Sequence, residues 1–147
     1  MKRQLLIDMI CGLLILLFVY ASVSKLLDYP KYYGEINGQP LPNILTPFIV
    51  WTLPTLEILI AIGLMIERTR LIALWASFIL MSLFTLYVGL ILANFFGVIP
   101  CACGGVINNL GWKEHLLFNT FFTIIPLIAI WLNRKPKQKP KVTLSTS

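Results

Sequence analysis

Cys101 and Cys103 stand two residues apart in the run Pro100-Cys101-Ala102-Cys103-Gly104-Gly105. A Cys-x-Cys pair can close a small, strained ring. Strain makes a disulfide easier to reduce, hence a better exchange partner than a relaxed structural bridge. Gly104 and Gly105 can take backbone angles that other residues resist, so their N–H groups could turn toward a thiolate. A metal is not expected, because two cysteines and the distant His115 do not complete a tetrahedral set. A passive staple across two residues would remove little loop entropy. The spacing therefore points to thiol–disulfide exchange, with two free thiols or a passive staple as the alternatives. His115 lies twelve residues after Cys103 and could stabilise a thiolate or relay a proton; the bland alternative is a solvated cap. Trp112 could shelter the pair, and Asn119 shares the face of His115 one helical turn on. Glu57 lies well inside an apolar run, where an ionisable group is costly and usually marks a function. It either relays protons or pairs with a neighbour, Lys25 being the basic candidate and Ser22 or a tyrosine hydroxyl the polar ones. Cys11 sits far from the pair along the first apolar run and serves as a small apolar filler.

These residues are strung between four apolar runs, at about 5–27, 47–66, 71–96 and 116–132. Each is close to or beyond the roughly 20 residues that a helix needs to cross the hydrocarbon core. With 58% hydrophobic and 12% charged residues and a mean hydropathy of +0.84, the chain cannot cover a water-soluble core with polar surface. The fold class expected is all-α, a four-transmembrane-helix bundle occupying 1–134 as one domain. The first run follows Lys2 and Arg3, as in a signal peptide, but exceeds an h-region of about 7–15 residues. It is expected to stay as an anchor. The segment between the first two runs carries Pro30, Pro40, Pro42 and Pro47 with Gly34 and Gly38. It is expected to be largely irregular, with room for a short helix over Tyr32 to Ile36. Tyr29, Tyr32 and Tyr33 mark the membrane boundary there. The many Phe and Leu residues of the spans read as core or lipid-facing, without a cofactor site.

Orientation follows from the basic residues. Lys2, Arg3, Arg68, Arg70, Arg134, Lys135, Lys137, Lys139 and Lys141 share one side of a four-span topology. Only Lys25, Lys31 and Lys113 fall on the other. The richer side is cytoplasmic, so the N- and C-termini are expected in the cytoplasm and the cysteine loop outside it. The net charge of +6 then needs no nucleic acid, and the tail 135–147 is a basic, disordered segment beside an anionic leaflet. The expected location is a bacterial inner membrane with the cysteine loop facing the periplasm, an oxidising compartment.

Three motifs resemble one family. Ser22-Val23-Ser24-Lys25-Leu26-Leu27-Asp28, closing the first run, resembles the start of DoxX-like membrane proteins. Pro54-Thr55-Leu56-Glu57 resembles the Pro-x-x-Glu of their second helix. Cys101-Ala102-Cys103-Gly104-Gly105, then Leu110-Gly111-Trp112 and Asn119, is similar to the methylamine-utilisation MauE branch. The resemblance spans roughly 12–132 and implies a four-helix membrane bundle associated with thiol–disulfide redox, often supporting disulfide formation in an exported partner. DsbB-type and vitamin K epoxide reductase-type bundles use two cysteine pairs in relay. This chain has one outer pair, so a partner or a quinone would have to meet it directly. The function expected is a thiol–disulfide oxidoreductase coupled to a membrane quinone and acting on an exported or membrane protein partner. The alternative is a non-catalytic membrane subunit or assembly factor whose outer loop docks a partner.

Overall fold

The computed structural model describes residues 2–97 and 111–134, and they form helices joined by short links. Helix α1 covers Lys2–Leu27, α2 Tyr29–Asn37, α3 Thr46–Met65, α4 Arg70–Leu92 and α5 Trp112–Arg134, with a 3₁₀ turn at Asn43–Leu45 before α3. No strand occurs among the described residues. Helices α1, α3, α4 and α5 are each long and apolar enough to cross a membrane. Leu16, Phe48, Ile72, Leu86 and Leu117 expose large apolar side chains, which hydrocarbon would cover.

Each spanning helix buries one stripe at intervals of three and four residues. In α1 the stripe runs Ile7, Cys11, Leu14, Phe18 and Ser22; in α3 it runs Val50, Pro54, Glu57, Ala61 and Leu64. These stripes meet Leu74 and Met81 of α4 and Phe122, Ile125 and Ala129 of α5 in one core. Cys11 is a buried member of it. Helices α3 and α4 approach closely at Gly63, where a Cβ would stand 3.0 Å from Ala73 Cβ. Small residues permit such contact between membrane helices. Thr85 and Thr123 hydroxyls meet at 2.9 Å between α4 and α5. At one end of the bundle Arg70 Nη1 pairs with Asp8 at 3.1 Å, and the Arg134 guanidinium lies 5.7 Å from the Trp75 ring. Pro54 and Pro126 stay within their helices, although each removes one backbone hydrogen bond.

Three boundaries differ from the sequence expectation. The segment after α1 is mostly ordered helix: Pro30 starts α2 within its first turn, and Tyr32 and Ile36 pack on Val50 of α3. Pro30 and Gly38 bound this helix, Gly34 is accommodated within it, and Pro40 and Pro42 follow it. The third span stops at Leu92 rather than 96, because Asn94 turns into the left-handed region at φ 54° and Gly97 follows at φ 69°. The fourth starts at Trp112 rather than 116, with Glu114 in its first turn, where an acidic side chain suits the helix N-terminus. The 135–147 tail and its expected disorder lie outside the described residues.

Candidate functional site

The polar residues singled out from the sequence sit on the buried stripes. Glu57 occupies a stripe position of α3, where its neighbours are apolar, and is 1% exposed. Lys25 extends the α1 stripe one turn past Ser22. Asn119 opens the α5 stripe, with His115 one turn before it. Inward position on three helices brings these side chains to one end of the bundle.

There Lys25 Nζ donates to Glu57 Oε1. The same ammonium lies 5.9 Å from the centre of the Tyr32 ring, a cation–π contact that brings α2 to the pair. Glu57 Oε2 is buried and has no hydrogen-bond partner among the described residues. A carboxylate in hydrocarbon needs compensation at both oxygens, and this pair supplies it at one. Ser22 is fully buried too, but its hydroxyl donates to the Val19 carbonyl of its own helix at 3.1 Å.

Beside the pair is a cavity of about 490 Å³, in the size range of small-molecule sites. Leu17, Phe18, Phe84 and Phe118 form apolar wall; Lys25, Glu57, His115 and Asn119 give it a polar end. Trp112 also lines it and stacks on His115, with ring centres 6.4 Å apart and planes 14° apart. Gln39 closes the cavity from the segment after α2, held by its Nε2 donating to the Glu35 carbonyl at 3.0 Å and its Oε1 accepting from the Tyr87 hydroxyl. Leu41 and Leu83 line the cavity while remaining 37% and 58% exposed, so it reaches the lipid-facing surface.

The structure thus corrects the reading of the Phe and Leu residues as mere core and lipid surface: several of them wall a cavity. Gln39, Tyr87 and Tyr32 also belong to it, and the sequence reading missed the first two and took Tyr32 for a boundary marker. Tyr32 is 4% exposed. Tyr87, a hydroxyl inside an apolar run, was the available signal. Cys101, Cys103, Gly104 and Gly105 lie outside the described residues, in the stretch that joins Gly97 to Gly111. Both joins are at the cavity end of the bundle, since Tyr87 and Trp112 line the cavity and the Phe96 ring packs on Tyr87 at 6.2 Å.

The sequence profile of the family described as methylamine utilisation protein MauE matches residues 3–132. The chain belongs to the MauE family. This is a membrane protein family of the DoxX-like type, so the chain is a multi-pass membrane protein. No curated protein and no solved structure matches it. The family's matched length takes in all four spanning helices and every residue placed at the cavity.

Proposed function

We propose that the protein is a membrane thiol–disulfide oxidoreductase whose Cys101/Cys103 pair exchanges electrons between a protein partner and a membrane quinone. A thiolate of one partner attacks a disulfide sulfur of the other, giving a mixed disulfide that the second cysteine resolves. The pair's passage between disulfide and dithiol moves two electrons and two protons, and a quinone passing to quinol takes up the same number. The observation that carries this reading is the cavity: apolar walls, a polar end and access from the lipid, at the bundle end to which the cysteine stretch is joined. Lys25, His115 and Asn119 bring polar groups to that end, suited to a ring oxygen. The partner is an exported or membrane protein, and the pair faces the periplasm of a bacterial inner membrane, with the termini cytoplasmic. The basic-residue bias supports that orientation.

A Cys103→Ala variant tests the exchange step. With its resolving thiol removed, Cys101 should hold a partner in a mixed disulfide that reductant releases. If no adduct forms and a Cys101→Ser/Cys103→Ser variant keeps full function in cells, the loop docks a partner without redox chemistry and the proposal fails.

A further inference from the structure

The unsatisfied oxygen of Glu57 says more about what fills the cavity. Its carboxylate is 1% exposed; one oxygen takes the Lys25 ammonium, and Oε2 is left with no partner among the described residues. A buried acceptor left unmade costs the full desolvation of the group, so a ligand that donates there is strongly preferred to one that cannot. Away from that polar end the wall is apolar and partly aromatic, through Phe18, Phe84 and Phe118, which suits a flat ring. Leu41 and Leu83 bring the cavity to the lipid-facing surface, which suits a ligand dissolved in the bilayer.

We propose that the cavity binds the hydroxyl-bearing, reduced head of a membrane-borne aromatic amphiphile, a hydroquinone, with Glu57 Oε2 accepting its ring hydroxyl. The inference rests on the proposed function above for the class of ring and for the cysteine pair as electron donor. A ring carbonyl at the same place would face the carboxylate oxygen with no proton between them, so the oxidised form binds less well. Selective binding of the reduced form makes the bound quinone a stronger oxidant, by about 30 mV for each tenfold of preference in a two-electron couple. It therefore favours flow toward the quinone. Electrons run from the cysteine dithiol, which becomes a disulfide, to the quinone, which takes two electrons and two protons to become the quinol.

Direct binding tests this without turnover. The full chain in lipid nanodiscs, as wild type and as Cys101→Ser/Cys103→Ser, is titrated anaerobically with a decyl-chain benzoquinol, its dimethyl ether and the matching quinone. The quinol should bind about tenfold more tightly than either of the others, in both proteins. Glu57→Gln, which sets an amide N–H2 in place of Oε2, should abolish that preference or turn it toward the quinone. Equal affinity of quinol and ether for the wild type overturns the proposal, whatever the variant does. So does a preference that survives Glu57→Gln in a protein of unchanged helicity, or displacement of all three probes by phospholipid alone. Because the double serine variant has no exchange chemistry, failure to trap a protein partner and failure to select quinol are separate results.

Discussion

At Glu57 and Lys25 the residue chemistry is an ion pair inside an apolar bundle. Removing one partner strands the other charge, at about 3–5 kcal/mol for a buried pair. Glu57→Ala and Lys25→Ala should each lower stability by that order in a denaturant titration in detergent. A Lys25→Leu/Glu57→Leu double change should recover most of it, since apolar replacement of a whole buried pair is often neutral or better. Asp8→Asn makes the contrast: Asp8 is half-exposed beside Arg70, and its loss should cost under about 1 kcal/mol. Glu57 was legible in the sequence because hydrocarbon makes any carboxyl conspicuous, and Lys25 because no other base falls near it. Gln39 was not legible. A glutamine among prolines reads as solvated loop, and only the fold brings it under Tyr87.

Helix α2 and the α3–α4 contact carry the argument at the scale of elements. The four spans were legible from hydropathy, since lipid demands helices of a set length. Their ends were not, because apolar content does not register a helix stop such as Asn94 in a left-handed conformation. Helix α2 was legible only as room for a short helix over Tyr32 to Ile36, because its evidence is those two apolar residues, one turn apart in a proline-rich stretch. It is held by those two on Val50 and by the Gln39–Tyr87 hydrogen bond just beyond it. Ile36→Asp should unseat it, seen as faster hydrogen exchange over Tyr32 to Asn37 with the spanning helices unchanged. Gly63→Leu should force α3 and α4 apart and lower stability by about 1–3 kcal/mol, because the Ala73 contact leaves no room. The cavity itself was invisible in sequence. Its walls use the same Phe and Leu types as the core, and a void has no residue of its own.

The whole molecule is a bundle with two unlike ends. One carries the Asp8–Arg70 pair and Arg134, and the other the polar head of the cavity and the joins to the cysteine stretch. The proposed orientation makes a direct prediction: a membrane-impermeant thiol reagent should label reduced Cys101 and Cys103 in intact spheroplasts, with Cys11 unlabelled in its core. Labelling of the pair only after the inner face is opened would reverse the topology. The central claim is that the pair gives its electrons to a quinone, and thiol counting tests it most directly. Reduced protein in nanodiscs is mixed anaerobically with a decyl-chain benzoquinone, then alkylated under denaturing conditions and weighed. The account predicts that Cys101 and Cys103 escape alkylation together, joined as a disulfide, with one quinol formed per pair, while Cys11 is still alkylated. Full alkylation of all three cysteines, with the quinone unchanged, would contradict it.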